Sequence, residues 1–88
     1  MIRALVVGDN CLDCYTGETG ACYPGGNAVN VAVYLQRQGI AASYHGYVGD
    51  DAGGRYLLAA LEAEGVDLSL TEALPGLTGR TFVKVRGG

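Results

Sequence analysis

Residues 2–7, Ile-Arg-Ala-Leu-Val-Val, form a near-continuous apolar, β-branched run closed by Gly8-Asp9-Asn10. A run of this kind reads as a strand covered on both faces, since a strand with one wet face alternates instead. The chain downstream extends the pattern. Ala28, Val31, Ala32 and Leu35 recur at helical spacing over residues 28–38, and Gly39 supplies the stop. Val29, Val31 and Val33 would equally suit a strand, so this helix rests on its cap, its stop and its length rather than on propensity. Residues 42–48 predict a second strand. Gly49-Asp50-Asp51 then caps a helix over about 52–64, carrying Tyr56, Leu57, Leu58, Ala60 and Leu61 and ending at Gly65. Strand, helix, strand, helix is the order of an α/β fold with a parallel sheet.

Two segments interrupt or extend this core. Residues 12–15 and 21–23 read as a small hairpin around the turn 16–20, Thr-Gly-Glu-Thr-Gly. Residues 66–70 and 80–86 are extended candidates, the second with a clear period of two, and 74–79 is the loop between them. The ending Gly87-Gly88 resembles the tip of a hairpin that lacks its return strand, as though the sequence were cut short.

Ligands of parallel α/β sheets bind at the carboxyl ends of the strands. Gly8-Asp9-Asn10-Cys11-Leu12-Asp13 lies just beyond such an end, where Asp9 and Asp13 would accept hydrogen bonds from hydroxyls. An Asx-type turn leaving the strand explains the same residues without a ligand. Gly25-Gly26-Asn27-Ala28-Val29-Asn30 leads into the first helix, and a paired glycine there lets main chain approach a ligand beside unpaired helix N–H groups. The plainer alternative is a turn with Asn27 capping a helix that begins at Ala28. Asn30 returns to the same rim one turn later, and it is the combination with Asp13 that favours a site.

Bulk properties exclude several classes. Eighty-eight residues, 49% hydrophobic with 15 glycines, suit one small globular, turn-rich unit with a thin core. Six basic against nine acidic residues, a formal charge of −3, provide no footprint for nucleic acid. No apolar run approaches the roughly 20 residues that span a bilayer, and 2–7 is too brief for a signal-peptide core, so the expected compartment is the cytoplasm. Three cysteines, an odd number, agree with a reducing compartment and free thiols.

Cys11-Leu12-Asp13-Cys14 has redox or zinc spacing, with Cys22 and His45 as further candidate ligands. A redox pair normally opens a helix, whereas extended chain is expected here, so no metal site is assigned. A dinucleotide fold needs G-x-G-x-x-G directly between strand and helix; here the double glycine comes after an inserted hairpin, and no P-loop sequence occurs.

Gly8-Asp9-Asn10, Asp13, Gly25-Gly26-Asn27-Ala28-Val29-Asn30-Val31-Ala32, Gly39, Val48-Gly49-Asp50-Asp51, Gly53, Leu61 and Gly65-Val66-Asp67, in that order, resemble the ribokinase-like, or PfkB, carbohydrate kinases over essentially the whole chain. The resemblance implies the N-terminal part of a three-layer α/β/α sandwich with a small β lid, to which 11–23 and 80–86 contribute strands, making 1–88 the N-terminal portion of a kinase domain. It also implies a sugar site in which Asp13 binds hydroxyls and Gly25, Gly26 and Asn30 contact the sugar, with Asp9 as a less conserved member across branches. Cys11, where many relatives have asparagine, and the short hairpin both depart from the ribokinase pattern. Gly8 to Cys11, Tyr15 and 25–34 are most similar to the branch acting on glycated lysine, which implies phosphorylation of fructoselysine at O6 with ATP and Mg²⁺. In this family the catalytic aspartate lies in a Gly-Ala-Gly-Asp-like motif near the C-terminal end, and the ATP loops lie there too. This chain has neither, so it is expected to hold no catalytic residue, to bind no cofactor alone, and to be inactive by itself. Relatives often dimerise through lid strands. A non-catalytic sugar-binding or assembly module is the competing reading.

Overall fold

A computed structural model describes residues 3–16 and 21–84. The elements run β1 (Arg3–Val7), β2 (Cys11–Thr16), β3 (Cys22–Gly25), α1 (Asn27–Arg37), β4 (Ala41–His45), β5 (Tyr47–Gly49), α2 (Ala52–Ala63), β6 (Glu72–Leu74) and β7 (Arg80–Lys84). Ile2, residues 17–20 of the turn expected over 16–20, and the terminal stretch 85–88 lie outside the described residues.

β1 and β4 pair in parallel, Arg3 opposite Ala41 through Val7 opposite His45, with α1 as the crossover packed on both. β2 and β3 make the expected hairpin, and β7 adds to the other side of β2, giving the order β3-β2-β7. That last pairing is parallel. β5 and the short β6 form a third, parallel pair.

Glycine sets both helix ends. Gly39 and Gly65 adopt φ of +84° and +85°. Behind each, two backbone bonds close a Schellman motif: Gly39 to Gln36 and Ile40 to Leu35 for α1, Gly65 to Glu62 and Val66 to Leu61 for α2. Asp51 caps α2 as read from sequence, accepting from the Gly54 amide at 2.7 Å. At α1 the alternative of an Asn27 cap does not hold, because Gly26 is the N-cap, with no side-chain cap bond, and Asn27 is already helical.

The core holds Leu12, Val29, Ala32, Ala42, Tyr44, Val48, Leu57, Leu61 and Val66. Ala28, Val29 and Ala32 are the buried residues of α1, while Val31 is exposed, so its buried stripe is rotated from the one that spacing suggested. Further corrections follow from tertiary packing. The strand expected over 42–48 breaks at Gly46 into β4 and β5, which join different sheets. Residues 66–70 give one parallel bridge, Ser43 to Asp67, and then a turn. Within this chain Leu5 and Val7 of β1 are 59% and 64% exposed. The thiols are not all free either. Cys14 and Cys22 face each other across the hairpin with Cα atoms 4.0 Å apart and are joined as a disulfide; Cys11 remains a thiol.

Candidate sugar-binding site

The chain leaving β1 is held from below by Tyr44. Its ring is fully buried, and its hydroxyl donates to the Gly8 carbonyl at 2.7 Å while accepting from Asn10 Nδ2 at 2.9 Å. Asn10 gives its other amide hydrogen to the Tyr47 carbonyl at 2.8 Å. Both hydrogens are thus engaged by protein, which leaves Oδ1 as the group Asn10 can offer elsewhere. Asp9, beside it, is exposed.

Two glycines bring the rest of the site onto this loop. A Cβ on Gly26, whose φ is +98°, would stand 2.9 Å from the Asn10 Cα and 3.0 Å from the Asp9 carbonyl oxygen. A Cβ on Gly25 would overlap the Asp13 carboxylate. Each glycine is therefore needed for close approach, and any side chain at Gly25 would push Asp13 away. Asp13, in mid β2, also accepts a hydrogen bond from the Cys11 thiol, S to O 3.4 Å. Burial, then that bond to Asp13, pushes the Cys11 thiol pKa up.

The structure thus gathers Asp9, Asp13, Gly25 and Gly26. Asn30 joins them through its backbone, donating to the Gly26 carbonyl at 3.0 Å in the first turn of α1. Its side chain lines a cleft of about 430 Å³ between α1 and α2 with Pro24, Tyr34 and Leu61, a cleft that Asp9 and Asp13 do not line. Chemically, the gathered group presents acceptor oxygens beside the N-terminus of α1, an arrangement suited to a ligand rich in hydroxyl or amine donors.

Sequence reasoning missed Thr78. This buried threonine donates its hydroxyl to Asp51 Oδ1 at 2.7 Å and accepts from the Gly49 amide at 3.1 Å, while its own amide donates to Asp51 Oδ2 at 3.0 Å. The Thr78 hydroxyl, then the Gly54 and Thr78 amides, hold the Asp51 carboxyl below the usual carboxylate range. One position on, the Gly79 carbonyl accepts from the Leu12 amide at 2.9 Å, so the α2 cap fixes where β7 meets β2. The loop 74–79 also lines a cavity of about 220 Å³ with Asn10 and Gly49. Nothing local in a Pro-Gly-Leu-Thr-Gly loop signals such a role.

Among the described residues, no three His, Cys, Asp or Glu side chains converge in a way that could hold a metal. The candidate set of Cys11, Cys14, Cys22 and His45 fails because two of its sulfurs are bonded to each other. No described helix is long and apolar enough to cross a membrane.

Comparison with known proteins gives the site its context. The family model for pfkB family carbohydrate kinases matches residues 8–88. The chain is 43% identical over 79 residues to fructoselysine 6-kinase of Escherichia coli (strain K12), covering 90% of this chain and 30% of that protein. It is 39% identical over 82 residues to the fructosamine kinase FrlD of Bacillus subtilis (strain 168), covering 93% and 28%. Its backbone matches a fructokinase of Vibrio cholerae O395, solved with fructose, ADP and calcium, at a TM-score of 0.84 and 30% identity, over 94% of this chain and 28% of that one. It therefore spans about 30% of the length of the curated relatives it matches. The α/β fold is that of the ribokinase-like kinases, and the chain belongs to the pfkB family of carbohydrate kinases.

Proposed function

We propose that this chain forms the acceptor-sugar side of an ATP-dependent kinase that transfers the γ-phosphoryl group to a primary hydroxyl of a fructosamine, with fructoselysine, phosphorylated at O6, as the substrate. The observation that carries this reading is the Asp13 carboxylate lying against the Cα of Gly25, with Gly26 crossing Asp9 and Asn10. Asp13 and Asp9 accept from sugar hydroxyls, the glycine backbone allows the ring to lie close, and the Asn30 amide fixes the Gly26 carbonyl at the start of α1. Kinases acting on fructoselysine and on fructosamines among the similar proteins favour that substrate over an unsubstituted hexose. In such a reaction ATP and Mg²⁺ supply the phosphoryl group and neutralise its charge. Among the described residues no three metal-holding side chains converge, and we assign ATP and Mg²⁺ to the rest of the kinase. This portion's task is positioning, which needs the remaining machinery to become catalysis. The 88 residues alone are accordingly inactive, and the working compartment is the cytoplasm.

The test is kinetic and uses the full-length protein that contains this chain. Asp13→Asn should raise KM for fructoselysine at least tenfold while leaving KM for ATP within about twofold, the split expected when a group binds one substrate. Equal damage to both constants would remove Asp13 from the sugar site. Tight fructosamine binding without ATP turnover by the unaltered protein would instead support a non-catalytic sugar-binding module.

A further inference from the structure

We infer that Cys14–Cys22 is a thiol–disulfide exchange site, opened by glutathione, that fastens the strand pair carrying Asp13. The inference deepens the sugar-binding reading above and rests on it for its functional consequence. Cys14 and Cys22 are direct ladder partners, and the neighbouring Tyr15 amide bonds to the Ala21 carbonyl at 2.9 Å, so the cysteines occupy a position without mutual backbone bonds. At such positions the two strands approach most closely. β3 is an edge strand whose ladder partner is β2. The bond therefore reinforces the register that sets Asp13 opposite Tyr23 and brings Gly25 beneath the Asp13 carboxylate.

Access gives the exchange a direction. Cys14 is 5% exposed, whereas Cys22 is only partly buried, so an incoming thiolate reaches the Cys22 sulfur and expels Cys14. Cys11 does not compete: side chains alternate along β2, placing Cys11 with Asp13 on the face opposite Leu12 and Cys14. Its thiol is also the protonated, less nucleophilic form to a greater degree than usual, because burial and its bond to Asp13 raise its pKa. In a cytoplasmic protein a disulfide is characteristically transient or redox-sensing rather than permanent.

The step balances with two glutathiones. One thiolate bonds to Cys22 as the intramolecular S–S bond breaks, and Cys14 leaves as a thiolate that takes up a proton. The second attacks the glutathione sulfur of the mixed disulfide and releases Cys22, yielding oxidised glutathione and two protein thiols. The reverse reaction consumes oxidised glutathione.

The test equilibrates the full-length protein in glutathione buffers of graded redox ratio, quenches with an alkylating agent and maps the cysteines by peptide mass. Under oxidising ratios Cys11 alone of the three should be alkylated, and under reducing ratios all three should be. Hydrogen exchange at the Tyr15 amide should quicken at least tenfold on reduction, and KM for fructoselysine should rise several-fold. The Cys14→Ser/Cys22→Ser double variant should show no redox response in either measurement. Alkylation of all three cysteines at every ratio, or identical Tyr15 exchange in oxidised and reduced protein, would overturn the inference. Because mapping and exchange need no turnover, a failed kinase assay would count against the substrate reading and leave the exchange site judged on its own data.

Discussion

Tyr44 shows how one side chain supports a surface it does not reach. Its hydroxyl sits between the Gly8 carbonyl and the Asn10 amide, and burial raises its pKa above the ordinary tyrosine value. Tyr44→Phe keeps the ring and removes both bonds, leaving a carbonyl and an amide hydrogen short of partners. The expected cost is about 1–3 kcal/mol in urea unfolding. A change below about 0.5 kcal/mol would mean that the loop does not depend on this hydroxyl. Gly25 works by the opposite principle, through what it lacks. Its missing Cβ is the space into which the Asp13 carboxylate fits.

At the scale of elements, the N-terminus of α2 is a junction. Asp51 accepts from Gly54 and twice from Thr78, and Thr78 in turn holds Gly49. An acid whose pKa is depressed in the folded state contributes stability that is full above its unfolded value and is lost as pH falls through the folded one. The ordinary value here is 3.8 and the folded one is lower. The urea midpoint should therefore decline as pH drops from about 4 toward 3. Asn retains capping ability without the titrating charge, so Asp51→Asn should have a lower midpoint at pH 7 and a shallower acid decline. Parallel declines in the two proteins would show that Asp51 contributes nothing to it, leaving other depressed acids such as Asp67 and Glu64.

The same elements show what the sequence made legible. Gly39, Gly65 and Asp51 act through bonds to residues within a few positions, so their roles could be read locally, and the juxtaposed glycines and Asp13 followed from motif order. The alternative of an Asn27 cap fell away because Gly26, at φ +98°, takes the cap position itself. The break at Gly46, the strand β6 and Thr78 depend on partners well removed along the chain, such as Asp51 for Thr78 and Tyr47 for Glu72. Local pattern carries no record of those partners.

The whole molecule is broad and thin. Its radius of gyration is 13.6 Å, against about 12 Å for a compact chain of this length, and its extents are 46 × 33 × 19 Å. Three small sheets share one core, and Leu5 and Val7 remain open on β1. The isolated 88-residue chain should therefore bind an environment-sensitive apolar dye, and Leu5→Gln with Val7→Thr should at least halve the fluorescence without loss of far-ultraviolet ellipticity. Unchanged fluorescence would place the dye elsewhere. The pairing of β2 with β7 has a separate consequence, for timing. Cys11 and Thr81 meet across 70 positions, so β2 and β3 can zip together early while the third strand of their sheet has yet to be synthesised. At a translation rate of about 5–20 residues per second, that hairpin waits several seconds with an open edge, and a nascent chain arrested before Arg80 should be the species most exposed to mispairing.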